Sequence, residues 1–121
     1  MKFSSVYVPK SLARRKLGSV AREVVFLRRA ESRLTELGLY IAGEAGLAIA
    51  NGYLDRIHAA CMGLGEFPER GRSRDDILPG LRTITMERRV TIAYRVRKTR
   101  VEIVTVAYAG RNFVRELRGR R

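Results

Sequence analysis

Few residues in this chain are equipped for catalysis. His58 and Cys61 are the only residues of their kinds. A nucleophilic site needs its nucleophile within hydrogen-bond reach of a base that a third group orients. Cys61 falls on an apolar helical stripe, which predicts a buried, inert thiol. His58 lies beside that stripe with no triad partners in evidence, and reads as a residue at the edge of the core. One His and one Cys cannot supply an ordinary structural zinc site. The Asp75-Asp76 pair stands in a polar loop without metal-ligand spacing, and no glycine pattern cradles a phosphate. The sequence therefore predicts no metal and no cofactor. Arginine-assisted cleavage of RNA remains, in which the substrate's own 2′-OH attacks the adjacent phosphate and the protein stabilises developing charge. Arg82, Arg95 and Arg111 could supply that charge. A guanidinium is a poor proton donor or acceptor near neutral pH, and Tyr94 alternates onto an apolar face.

The chain that must position these residues has 121 of them, enough for one domain with one modest core. Apolar residues make up 45% of it, which excludes disorder by composition. Its net charge of +13 is unevenly distributed. Residues 1–20 carry five basic residues and no acid, 21–66 five basic and six acidic, and 67–121 fifteen basic and six acidic. The middle is electrostatically quiet and the two ends create the positive field, which favours an anionic partner. No apolar run has the length of a membrane span, and the start lacks the apolar stretch of a secretory signal. These features predict a cytoplasmic protein that does not engage a membrane.

Residues 1–19 mix Ser, Pro9 and Gly18 with the basic run Arg14-Arg15-Lys16, and read as a basic arm without periodic structure. Within Val20 to Arg28, the run Val24-Val25-Phe26-Leu27 predicts a short strand buried on both faces. Residues 30–44 read as a helix, with Ala30, Leu34, Leu37 and Ile41 on one stripe. Residues 47–66 read as a second helix, with Ala50, Leu54, Ile57, Cys61 and Leu64 on its stripe, widened by Tyr53 and Ala60. The short connection around Gly46 forces an antiparallel hairpin. Phe67-Pro68 stops the second helix, and a polar loop runs to Pro79-Gly80. Three strands follow: Leu81 to Glu87, Val90 to Arg97 and Val101 to Tyr108, joined by tight connections into a meander. Strict period two places Ile92 and Tyr94 on one face. It also places Val104, Val106 and Tyr108 opposite Val101 and Ile103. The fold class is α+β in the order β-α-α-β-β-β: a helical hairpin on one face of a small, twisted, mainly antiparallel sheet, with basic side chains on the other face. The domain spans 20–112, and 113–121 is a basic tail.

Four motifs in order resemble the ParE branch of the RelE/ParE toxins of bacterial type II toxin–antitoxin systems. They are Glu66-Phe67-Pro68-Glu69-Arg70-Gly71, Asp76-Ile77-Leu78-Pro79-Gly80-Leu81-Arg82, Ile92-Ala93-Tyr94-Arg95-Val96, and Val101 through Arg111. The helical segment Ala30 to Tyr53 is similar as well, so the resemblance covers about residues 23–111. It implies the fold read above. RelE-type toxins are ribosome-dependent mRNA endonucleases with a late arginine followed by an aromatic acid/base residue. Arg82 and Arg111 match the two arginine positions, but the aromatic position falls near Leu117, and no Tyr or His follows Tyr108. ParE toxins lack the nuclease set and poison DNA gyrase. The resemblance thus implies a non-enzymatic gyrase inhibitor with no catalytic residue, neutralised by a ParD-like antitoxin in a toxin–antitoxin hetero-oligomer.

Under that reading Arg82, Arg95, Arg97 and Arg111 bind the target. The antitoxin's C-terminal part wraps the toxin, its apolar side chains near Leu39, Leu47 and Tyr53 and its acids at Arg82, Arg95 and Arg97. The alternatives are a RelE-type endoribonuclease using Arg82, Arg95 and Arg111, and a basic nucleic-acid-binding relative. All three readings place the two helical stripes in one core. Leu54→Ala is therefore expected to cost roughly 2–5 kcal/mol in chemical denaturation, from lost transfer energy and the cavity left behind. No loss would mean that the hairpin register is misread.

Overall fold

The computed structural model describes residues 21–108 and Leu117. The predicted arm (1–19), Arg111 and most of the predicted tail lie outside the described residues. Strand β1 (Glu23–Phe26) leads into helix α1 (Arg28–Ala45) and helix α2 (Leu47–Gly63). A short 3-10 turn (Pro68–Arg70) precedes β2 (Arg72–Ser73), β3 (Leu81–Met86), β4 (Val90–Val96) and β5 (Arg100–Tyr108). The five strands form one sheet in the order β1-β5-β4-β3-β2. β1 runs parallel to β5, and the other pairings are antiparallel.

The helices form where the stripes predict. Ala30, Leu34, Leu37 and Ile41 of α1 and Ala50, Leu54, Ile57 and Cys61 of α2 are buried in one cluster with Ile92, Tyr94, Val101, Ile103 and Val106 of the sheet. Gly46 alone connects the helices. Its φ of 98° lies where a Cβ is strained, so one residue can reverse the chain without extending either helix. The second helix ends at Gly63 rather than at residue 66. There the chain turns, and the Gly65 carbonyl accepts a 2.8 Å hydrogen bond from the Arg22 amide at the start of β1.

Three expectations about the sheet need correction. The first strand is not buried on both faces. Among the described residues β1 is an edge strand with β5 as its only neighbour, and Glu23 is exposed while Val24, Val25 and Phe26 are half-buried. Nor do Val104, Val106 and Tyr108 share a face. Ala93 pairs with Thr105 and Tyr94 with Ile103, which leaves Val104 as an extra, unpaired residue on β5. That bulge inverts the alternation. Val101 and Ile103 before it and Val106 and Tyr108 after it all pack on the helix side, while Val104 points away. Finally, the face opposite the helices is not simply basic. It carries a second small core of Ile77, Leu81, Ala93, Val104 and Leu117, with Leu27 and Leu78 packed against it.

The β3–β4 turn has a backbone its sequence does not favour. Glu87 (φ 50°) and Arg88 (φ 65°) both occupy the left-handed region, and the Arg89 amide donates to Met86 O at 3.3 Å. Non-glycine residues there cost about 1–2 kcal/mol each. Arg56 of α2 grips the Glu87 carboxylate with two donors, one of them Nη2 at 3.1 Å, and lies 5.3 Å above the Tyr53 ring. The helix thereby anchors the turn to the sheet.

His58 is inside rather than at the edge of the core, 6% exposed and stacked on Phe26 with ring centroids 4.8 Å apart. Burial holds its pKa down at about 4, against a smaller opposing pull from Asp55. The unfolded imidazole titrates near 6.5, so between these values the unfolded chain binds more protons and folding weakens as pH falls. Going from pH 7.5 to 5 is expected to remove about 2 kcal/mol of stability through this residue. Denaturation of wild type and His58→Gln at both pH values checks this: the variant should lose less, and equal losses would show that the imidazole is solvated.

Candidate functional site

The site is built around the loop between α2 and β3. Tyr94 points to the helix side of β4 and is fully buried. Its hydroxyl donates to Pro68 O and accepts from the Gly71 amide, both at 2.8 Å. Burial raises the phenol's pKa against the opposing Gly71 hydrogen bond. Gly71 is required by closeness: a Cβ there would overlap the Tyr94 hydroxyl and lie 2.9 Å from Thr83 O. Arg82, in register with Tyr94 on β3, donates to Gly71 O at 2.6 Å and to Glu69 O at 3.4 Å. Two side chains from the sheet thus hold the backbone of 68–71 in place.

Of the sequence-predicted arginines, the described ones, Arg82, Arg95 and Arg97, do not form one site. Arg82 lies on the helix side of the sheet, while Arg95, in register with Leu81, lies on the far side. Arg95 lines a groove of about 590 Å³ with Leu27, Arg28, Ser32, Val104 and Leu117, and its buried Nε has no hydrogen-bond partner among the described residues. Arg97 donates to Glu102 Oε1 at 3.2 Å, and Arg100 to Glu102 Oε2 at 2.6 Å. Burial would raise the Glu102 pKa, but hydrogen bonds from Arg100 and Arg97 outweigh it and hold the carboxyl below its ordinary value. Asp75 and Asp76 are loop staples: Asp75 accepts from the Gly80 amide at 2.7 Å, and Asp76 accepts two hydrogen bonds from Arg74, both at 2.9 Å. Among the described residues no cluster of His, Cys, Asp and Glu could hold a metal, and no helix is long and apolar enough to cross a membrane.

The apolar candidates sit on the helical hairpin. Leu39 is 70% exposed and Leu47 68% exposed, while Tyr53 is half-buried. Tyr53 meets Tyr108 edge-on at 6.1 Å, and Tyr40 lies 5.8 Å from Tyr108 on its other contact. Sequence reasoning missed Tyr40 and Ile49, which are also exposed. They lie one position from core residues, Ile41 and Ala50, and so read as flanks of the stripe. It also missed Arg70, Arg72 and Arg74, which line an open groove of about 440 Å³ on the far face with Thr83, Thr85 and Thr91. The signal was their alternation, Arg-Gly-Arg-Ser-Arg, inside a stretch read only as polar loop.

Among solved structures, this fold is similar to a chain of the chromosomal ParDE TA system from P. aeruginosa. The match has a TM-score of 0.66 and 22% identity, and covers 75% of this chain and 99% of that one. At that identity the likeness is one of fold: a helical hairpin on an open, mixed sheet. No significant match is found among curated proteins. The family comparison is more specific. Residues 24–113 match the ParE toxin of type II toxin–antitoxin systems, parDE. The chain belongs to the ParE toxin family.

The hydroxyl of Tyr94 links the α2–β3 loop to the sheet, so Tyr94→Phe should leave the buried Gly71 amide without its acceptor. The expected cost is about 1–3 kcal/mol in urea denaturation. Gly71→Ala should destabilise through steric overlap instead, and wild-type stability in both would contradict this geometry.

Proposed function

We propose that this toxin inhibits DNA gyrase by binding it, without cutting nucleic acid, and that a ParD-like antitoxin neutralises it by covering the helical hairpin. Membership of the ParE family is the observation that carries the reading. The site supports it. The phenol in register with Arg82 is buried, and both functions of its hydroxyl are committed to backbone partners. The imidazole of His58 is in the core. Arg82 itself is engaged with loop carbonyls, which suits a structural role better than charge stabilisation on a substrate.

The antitoxin reading rests on exposed apolar surface. Leu39 and Leu47, with Tyr40 and Ile49, place large apolar side chains in solvent around the hairpin. Burying them would supply most of the affinity, while acidic residues on the partner would speed encounter and set register. Of the three arginines expected to receive those acids, Arg97 already serves Glu102 and Arg82 serves the loop. Arg95 is the best placed: it lines the far-side groove and makes no ion pair among the described residues.

A supercoiling assay with purified gyrase tests the target. The toxin should inhibit supercoiling, stoichiometric antitoxin should restore it, and mRNA on translating ribosomes should stay intact. Site-specific mRNA cleavage with unimpaired gyrase would establish the endoribonuclease reading instead. Leu39→Asp/Leu47→Asp toxin should retain gyrase inhibition and lose neutralisation. Neutralisation at wild-type antitoxin concentration would place the antitoxin elsewhere.

A further inference from the structure

The groove on the far face has the composition of a site for a phosphate chain. Arg72 is in register with Thr83, which faces away from the helices, and Thr83, Thr85 and Thr91 line the groove with hydroxyls. Arg70, Arg72 and Arg74 line it at every second residue. In an extended chain alternate residues stand roughly 7 Å apart, comparable to successive phosphates of an extended single strand. Arg74 is bound to Asp76, but Arg70 and Arg72 are exposed and make no side-chain hydrogen bond or ion pair among the described residues. The loop that carries them is fixed by Tyr94 and Arg82 through Pro68, Glu69 and Gly71, so the two free guanidinium groups are presented on an ordered backbone. Such preorganisation lowers the ordering cost of binding.

The groove discriminates between anions. A protein segment would need apolar anchors to fill, and among the described residues Ile84 is the one apolar residue lining it. Base stacking would need aromatic rings, and none among the described residues lines it. What remains is a polyanion with regularly spaced charges and hydroxyl-bonding oxygens. We propose that the groove formed by Arg70, Arg72, Arg74 and the three threonines binds the phosphodiester backbone of single-stranded nucleic acid without reading its sequence. The assignment stands independently of the gyrase reading, since it rests on the groove and not on the target.

Fluorescence anisotropy with a labelled single strand of about 20 nucleotides tests it, using DNA and RNA versions and full-length toxin at salt from about 50 to 200 mM. Arg70→Ala/Arg72→Ala should weaken binding by about tenfold or more and reduce the slope of log K against log salt by about 1.4, two phosphate contacts' worth. Arg88→Ala/Arg89→Ala, which removes the same charge at the β3–β4 turn, should leave both nearly unchanged. Similar binding of DNA and RNA would mean that phosphates alone are read. Preference for RNA would mean that the threonines also engage the 2′-OH, and either result supports the groove if the first variant loses it. No binding by wild type, or equal losses in the two variants, would overturn the proposal. Unchanged thermal unfolding of both variants confirms that the comparison is between folded proteins.

Discussion

One unpaired residue on the interior strand β5 determines how this sheet can be covered. β5 touches β1 on one side and β4 on the other, so every layer of the protein is registered against it. Without the bulge at Val104, uninterrupted alternation would turn either Val101 and Ile103 or Val106 and Tyr108 away from the helices. With it, all four face the hairpin, and Val104 is released to the opposite side, where it meets Leu81, Ala93 and Leu117. The large core, the small core and the aromatic contacts of Tyr108 all follow from that one insertion.

Much of this was legible in the sequence. Helical stripes are redundant signals: Ala30, Leu34, Leu37 and Ile41 repeat the same evidence four times, so α1 could not be misread. The strand pattern of β4 was equally plain. The bulge left no trace, because Val104 is a β-branched residue among other β-branched residues and fits either face. β2 could not be seen because two residues have no period. The candidate site was read less well than the fold. Leu39 and Leu47, expected near the outer edge of the stripe, are exposed. Arg82 and Arg95 were grouped by charge, whereas the register of Leu81 against Arg95 and of Arg82 against Tyr94 puts them on opposite faces. Face is a property of pairing, and pairing is not contained in a single strand's composition.

The structure also separates arginines that composition treats alike. Arg56 holds the strained turn, Arg82 the loop backbone, Arg97 and Arg100 the buried Glu102, and Arg74 the adjacent Asp76. Planar guanidinium groups suit these roles because one side chain can donate to two acceptors at once. Exposed ion pairs of this kind add little to stability. Their value here is positional: they fix where the chain turns, while Arg70, Arg72, Arg88 and Arg89 are among the described cations that face outward.

The single imidazole lies in the core, the single thiol is buried, and burial pushes that thiol further from ionisation. Of the 25 basic side chains only four are lysine. Guanidinium groups stay charged throughout the physiological range and are not substrates for acetylation of lysine. Among the described residues, a protein so composed has almost nothing on its surface that acidity, oxidation or acylation could reset. Its field is permanent from the moment the chain folds, and silencing it falls to a ligand that occupies the surface, or to removal of the chain itself.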